Sequence, residues 1–323
     1  MENWLATMPG IHLFLKQSMK NEVFDTFLAT IGAVDRKTLA RAISLVENEV
    51  DGTHAFLKAL PRFDTPVIGI TGPPGAGKST LADALIGHWT RAGKRIGILC
   101  VDPSSPFNLG ALLGDRIRMS NWYNHPDVFI RSLATRGSLG GLHPAIIEIT
   151  DMMKAAGFDY IVVETVGVGQ SEVEIAGLAD TTVVVVVPEA GDEVQTMKAG
   201  LMEIADLFVV NKADRPDADL FARNLRLMLA PAFQHKKHEI AVMKTEAHLQ
   251  KGITELAEAI DKHLAYRLQN EWKYWLLAEK AWHLIQAQKM KGITKNQLRE
   301  SIQNAEQSGK NWNIYQFISE WLP

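Results

Sequence analysis

Residues 67–80 read VIGITGPPGAGKST, and no other stretch of the chain limits its fold so tightly. A short, β-branched apolar run of strand character enters a glycine-rich turn. The turn ends on Lys-Ser-Thr and leads into a helical segment. This is G-x-x-x-x-G-K-[ST] in the strand-to-helix setting that the pattern needs. Glycines allow backbone N–H groups to turn inward around phosphate oxygens, and the start of the following helix adds partial positive charge at the same point. Gly72, Pro73, Pro74, Gly75, Ala76, Gly77, Lys78, Ser79 and Thr80 are therefore expected to cradle a nucleotide's phosphates. In that chemistry the Lys78 ammonium meets the β and γ oxygens and the Ser79 hydroxyl ligates Mg²⁺.

The rest of the chain supplies the sheet that such a loop requires. Strand-like segments fall at 67–71, 95–102, 127–133, 160–164, 181–187, 206–211 and 239–243, with helical segments between most of them. Several are continuous apolar runs, as in a parallel sheet covered on both faces. The expected fold is an α/β, doubly wound, mostly parallel sheet, with ligands beyond the carboxyl ends of the strands. Residues 1–60 read as an N-terminal helical extension. Leu39, Ile43 and Val46 fall at helical spacing, Asp35 is the expected N-cap, and Asp51-Gly52 the expected stop. Residues 61–265 form the nucleotide domain and 266–323 a C-terminal helical arm. Leu268, Trp272, Trp275, Trp282 and Ile285 lie on a rough helical stripe in that arm, which holds five of the eight tryptophans between 272 and 321. Two readings fit the stripe, a packing surface for another chain or a tail folded onto its own sheet domain.

Composition narrows the partners. The 323 residues carry 34 basic and 37 acidic side chains, a net charge of −3, so no basic field draws nucleic acid or anionic lipid. Cys100, the one cysteine, sits in an apolar run and excludes an internal disulfide framework. No apolar run reaches the length of a membrane span, and the opening MENWLATMPGIHLFLKQSMKNEVF lacks the layout of a signal peptide. A cytoplasmic protein is expected.

Two further motifs assign the nucleotide and its metal. Asn211-Lys212-Ala213-Asp214 closes the 206–211 strand. A carboxylate there can accept two hydrogen bonds from the guanine N1–H and amine, a donor pair that adenine lacks, so GTP and GDP are the expected ligands. Glu246, Ala247 and His248, past the next strand, would supply backbone contacts to the base. Glu164 ends the YIVVE strand, and a buried carboxylate needs a positive partner. The phosphate-bound Mg²⁺ supplies one, and Gly167 would give its N–H to the γ-phosphate. Asp102 ends another strand, where a place in the metal shell and a helix cap before Pro103 both fit. The loop that it opens carries Asp115, Arg116 and Arg118. Arg131 and Arg136 frame a further glycine loop as candidate cations. Where many GTPases place a water-orienting Gln directly after the switch glycine, this chain has Val168, and Gln170 is the nearby polar candidate for a catalytic role.

Together, GPPGAGKST, VDPSSPF…LGDRIRM, RSLATRGSLGG, ETVGVGQSE, AGDEVQTMKAG and ADLFVVNKAD resemble the MeaB/ArgK group of P-loop GTPases, the methylmalonyl-CoA mutase-associated chaperones. The resemblance covers about residues 35–265. It implies a GTPase that gates loading and protection of the adenosylcobalamin of a B12-dependent acyl-CoA mutase, and a homodimer through the C-terminal arm. It marks Lys78, Asp102, Asp115 and Glu164 as nucleotide, metal and catalytic positions and Asp214 as the guanine reader. Glu246 departs from the family's usual Ser, and Asn108 and Leu109 from its small residues. Two alternatives stand beside this reading. A nickel-delivery GTPase would want soft or imidazole ligands, which one cysteine and ten scattered histidines supply poorly. A transport-linked kinase would want a protein-substrate site, of which the sequence shows none.

Overall fold

The computed structural model describes residues 22–102, 119–135, 142–165, 171–188, 201–233, 240–268, 272–307, 313–319 and 321. Seven strands form one sheet: β1 (Val67–Thr71), β2 (Ile96–Asp102), β3 (Val128–Ala134), β4 (Tyr160–Thr165), β5 (Thr181–Val186), β6 (Leu207–Asn211) and β7 (Ala241–Thr245). Their order is β3-β2-β4-β1-β5-β6-β7, and every pairing is parallel. The chain runs outward from β1 on one side through β2 and β3. It then returns through β4 and continues outward on the other side. The crevice beyond the carboxyl ends of β1, β4 and β5 is therefore where a ligand belongs.

Continuous burial explains the continuous apolar runs. Every residue of β1, β2, β5 and β6 is buried. Side chains alternate between two covers. Ile68 and Ile70 pack with helix Lys78–Arg91 and helix Ile253–Leu268, whereas Val67 packs on the opposite face with the N-terminal helices. That second cover gathers Phe24, Phe27, Leu39, Ile43, Val46 and Phe56 with Leu99, Leu133, Ile149 and Ile161 into one cluster. The N-terminal helices thus share the core of the sheet.

Helix Arg36–Glu47 begins as expected, with Asp35 Oδ1 accepting from the N–H groups of Lys37 and Thr38. It ends earlier than expected, at Glu47. Gly52, in the left-handed region at φ 92°, instead precedes a second helix, Thr53–Ala59. Of the C-terminal stripe, Leu268 belongs to helix Ile253–Leu268 and Trp272, Trp275, Trp282 and Ile285 to helix Trp272–Lys289.

The chain separates into two compact units, Met1–Leu276 and Leu277–Pro323. In the second unit, Thr294 and Gln297 cap helix Lys295–Gln307 reciprocally. The Thr294 N–H donates to Gln297 Oε1 at 2.8 Å and the Gln297 N–H to Thr294 Oγ1 at 3.2 Å. Asn313 Oδ1 accepts from Tyr315 and Gln316 to start helix Ile314–Ser319. Among the described residues no helix is long and apolar enough to cross a membrane.

One carboxylate in the first turn of helix Ile146–Ala155 is held against its preference. Burial pushes the pKa of Glu148 up, and Asp151 and Glu49 push it further the same way. Its folded pKa lies above the unfolded value, so the protonated form stabilises the fold and that contribution is lost as pH rises through the folded pKa. Glu148→Gln should therefore raise Tm at neutral pH, with the gain fading as pH falls through the raised folded pKa and gone below the ordinary carboxylate range. A thermal melt series across pH checks this; an equal gain at every pH would reject it.

Candidate functional site

The phosphate loop is fixed by contacts that permit no side chain. Gly72 follows β1 at φ 134°, and a Cβ there would lie 2.1 Å from the Val185 carbonyl oxygen on β5. Gly77, at φ 88°, precedes helix Lys78–Arg91, and a Cβ on it would lie 2.4 Å from Asn211 Nδ2. Lys78 and Ser79 are both buried. The Lys78 ammonium folds back over the loop and donates to the carbonyls of Gly72 at 2.8 Å and Pro73 at 2.9 Å. A cation and a helix N-terminus are thus aimed at one point, which is what an anion of several charges requires.

Glu164, 5% exposed, meets the first turn of that helix: Ser79 Oγ donates to Glu164 Oε1 at 2.6 Å. Asp102, 4% exposed, belongs to the same cluster by register. Cys100 on β2 pairs with Glu164 on β4, so Asp102 lies two residues further along the neighbouring strand and on the same face. Cys100 and that face pack with helix Lys78–Arg91. One hydroxyl and one carboxylate meet here, with a second carboxylate on the same face of the neighbouring strand, and a donor set made only of oxygen is the kind that Mg²⁺ takes alongside nucleotide phosphates. The helix-cap alternative for Asp102 involves Pro103, which lies outside the described residues.

Asn211, at the end of β6, binds the loops together. Its Nδ2 donates to the Ala76 carbonyl at 3.0 Å, and its Oδ1 accepts from Thr245 Oγ1 at 3.1 Å and the Ala247 N–H at 3.2 Å. Lys212, in the left-handed region at φ 56°, donates to the Gly75 carbonyl at 2.8 Å. The Ala213 N–H donates to the Thr245 carbonyl at 3.0 Å. Asp214 follows as an exposed carboxylate. Residues 245–251 form a short closed turn. Glu246 and Lys251 exchange main-chain hydrogen bonds of 3.1 and 3.3 Å and close an ion pair of 3.0 Å. The Glu246 side chain thus staples the turn. Ala247 is buried and His248 exposed. With Asn211 paired to Thr245 across β6 and β7, Asp214 and this turn flank one corner of the site.

Asp115, Gly167 and Gln170 lie outside the described residues, as do Arg116, Arg118 and Arg136. Arg131 turns away from the nucleotide crevice: it pairs with Glu47 of the N-terminal helix and donates to Ser44 Oγ at 3.1 Å. Two features escaped the sequence reading. Thr165 Oγ1 donates to Thr71 Oγ1 at 2.9 Å, joining the fully buried last residues of β4 and β1. Trp122 Nε1 donates to Asp83 Oδ1 on the phosphate-loop helix at 2.6 Å. The matching Thr at the last position of two strands was the available signal for the first; nothing local signalled the second.

Comparison with known proteins agrees with this geometry. Residues 39–307 match the family described as methylmalonyl Co-A mutase-associated GTPase MeaB. A Pyrococcus horikoshii protein that carries a GTPase name is 48% identical over 246 residues, covering 74% of this chain and 77% of its own. The mouse protein named methylmalonic aciduria type A homolog, mitochondrial, is 35% identical over 250 residues, covering 73% of this chain and 59% of its own. A crystal structure of a protein named LAO/AO transport system kinase is 25% identical with a TM-score of 0.59, covering 94% of this chain and 96% of that one.

The corner beside Asp214 yields a direct test of base choice. Asp214→Asn should weaken GTP binding, by as much as ~10⁴-fold if both hydrogen bonds are lost, and should favour xanthosine triphosphate, whose ring offers an acceptor in place of the amine. Competition binding of the two nucleotides checks this, and an unchanged preference for GTP would contradict it.

Proposed function

The chain belongs to the family of methylmalonyl Co-A mutase-associated GTPases and hydrolyses GTP, and on that premise we propose that hydrolysis gates adenosylcobalamin loading and protection in a B12-dependent acyl-CoA mutase. The match of residues 39–307 to a family described by its association with that mutase carries the proposal. The name of the mouse relative points the same way. A transport-linked kinase is the second reading, from the name of the protein in the similar crystal structure. The Asn211–Asp214 corner favours a guanine nucleotide, which is unusual for a kinase.

The residues divide the work. Gly72 to Thr80 hold the phosphates, and Lys78 neutralises charge on the β and γ oxygens as the terminal phosphate departs. Asp214 reads guanine, while Asn211 and Lys212 brace the base corner against the phosphate loop through the Ala76 and Gly75 carbonyls. Ser79, Asp102 and Glu164 are the residues that would hold Mg²⁺, which when bound draws electron density from the phosphates. Ser79 and Glu164 are already in contact at 2.6 Å, so little rearrangement is needed to present both oxygens. Gly167 would donate its N–H to the γ-phosphate, and Asp115 and Gln170 complete the proposed catalytic set.

The C-terminal arm fits a homodimer. On helix Trp272–Lys289, Trp275 is 71% exposed, Trp282 58% and Ile285 52%, a run of apolar surface that a second copy would cover. Trp275→Ser with Trp282→Ser should give monomers in sedimentation; a wild-type chain that sediments as a monomer at micromolar concentration would remove this part of the proposal.

The isolated enzyme is expected to be slow. Val168 stands where a water-orienting Gln would serve, and even GTPase sites that have that Gln turn over at only ~10⁻⁴ to 10⁻² s⁻¹ without a partner. Steady-state GTP turnover should rise when a B12-dependent acyl-CoA mutase is titrated in, by ~10³-fold if the partner orders the missing group. A constant rate across a titration that demonstrably forms the complex would count against the proposal.

A further inference from the structure

The ion pair that takes Arg131 out of the nucleotide crevice has a second consequence. Glu47 is the last residue of helix Arg36–Glu47, and its side chain is 9% exposed. One carboxylate oxygen pairs with Arg131 on β3, and the other faces His143 Nε2 at 3.8 Å. His143 Nδ1 accepts the Ala145 N–H at 3.0 Å, so a neutral ring carries its proton on Nε2, toward Glu47. At its other end the same helix holds the approach to β3: Arg36 donates to the carbonyls of Tyr123 at 2.6 Å and His125 at 2.9 Å.

Glu47 and His143 are buried and Arg131 largely so, which is costly for ionic groups, and an apolar cluster of equal volume often stabilises a fold as well or better. The arrangement therefore calls for a reason beyond stability, and its place in the sheet supplies one. β3 is an edge strand with β2 as its single sheet neighbour. Their register runs from Ile96↔Val128 to Asp102↔Ala134, and the Thr135 N–H donates to the Asp102 carbonyl at 3.0 Å. Whatever fixes β3 along its length fixes the end of β2. Arg131 pairs with Leu99, three residues before Asp102.

We propose that Glu47 is a positioning residue for the nucleotide site: by anchoring β3 through Arg131, it sets Asp102 against Ser79 and Glu164. The N-terminal helix then acts on metal-dependent nucleotide binding without touching the nucleotide. This inference rests on the reading of Asp102 as a metal-shell carboxylate, so its test includes Asp102.

The experiment uses the full chain and a fluorescent GDP. GDP affinity is measured in EDTA and again across a Mg²⁺ titration for wild type, Glu47→Gln and Asp102→Asn. Loss of a group that orients a metal ligand typically costs ~10-fold or more in metal affinity. Glu47→Gln should raise the Mg²⁺ midpoint by that order and leave the affinity in EDTA within about twofold, which a general loosening of the fold would not do. Glu47→Met with Arg131→Met, which replaces the ion pair by apolar packing, should keep a cooperative melt yet show the same raised midpoint. It carries the test if Glu47→Gln does not fold. A wild-type midpoint in these variants, or a matching loss of affinity in EDTA, overturns the inference. If Asp102→Asn raises the midpoint and the Glu47 variants do not, the positioning role alone fails. If none of them does, the reading of Asp102 falls with it.

Discussion

A carboxylate buried at the tip of an apolar strand is the constraint around which this molecule is arranged. Glu164 has lost nearly all contact with water, and such a group is costly unless hydrogen bonds or positive charge replace its hydration. The Ser79 hydroxyl, 2.6 Å away in the first turn of the phosphate-loop helix, donates one such bond. That contact requires β4 to lie directly beside β1, which it does, with Ile70 opposite Glu164. It also requires the loop between β1 and its helix to turn tightly enough to bring Ser79 back over the strand ends. Glycine at 72, pressed against the Val185 carbonyl, makes that turn.

The base corner and the phosphate loop are mechanically one object. Asn211 and Lys212 reach from the end of β6 to carbonyls of the loop, and Asn211 also holds the turn after β7. Asn211 is 3% exposed, and removing one partner of such a buried amide leaves its other groups unsatisfied. A displacement at the end of β6 is therefore felt at the glycine-rich loop through side chains already in contact. The Thr71–Thr165 pair adds a second tie between the strand that starts the loop and the strand that bears Glu164.

Much of this was legible because burial leaves a direct mark on composition. Strands covered on both faces need apolar residues at every position, so VIGIT and TTVVVVV could be placed almost to the residue. The phosphate loop was legible because its geometry admits few residue types. Asp35 was legible as a cap because its side chain acts on N–H groups two and three positions away. What was not legible depends on distant partners. Arg131 opens a glycine-rich stretch at the end of β3, a place that suits a catalytic cation, but Glu47, 84 positions earlier, decides its direction. The end of the first described capped helix was misplaced because Gly52 serves the start of the next helix, and a glycine in the left-handed region suits either role. The part played by Glu246 is visible only when the chain returns at Lys251.

We propose that Ser79 and Glu164 meet in order to serve Mg²⁺ on the bound nucleotide. Calorimetric titration of a non-hydrolysable GTP analogue, with and without Mg²⁺, tests it most directly when wild type is compared with Ser79→Ala. The account predicts that Mg²⁺ strengthens binding to the wild type and that Ser79→Ala loses most of that gain while keeping its affinity in the absence of metal. An equal Mg²⁺ gain in both proteins would contradict it.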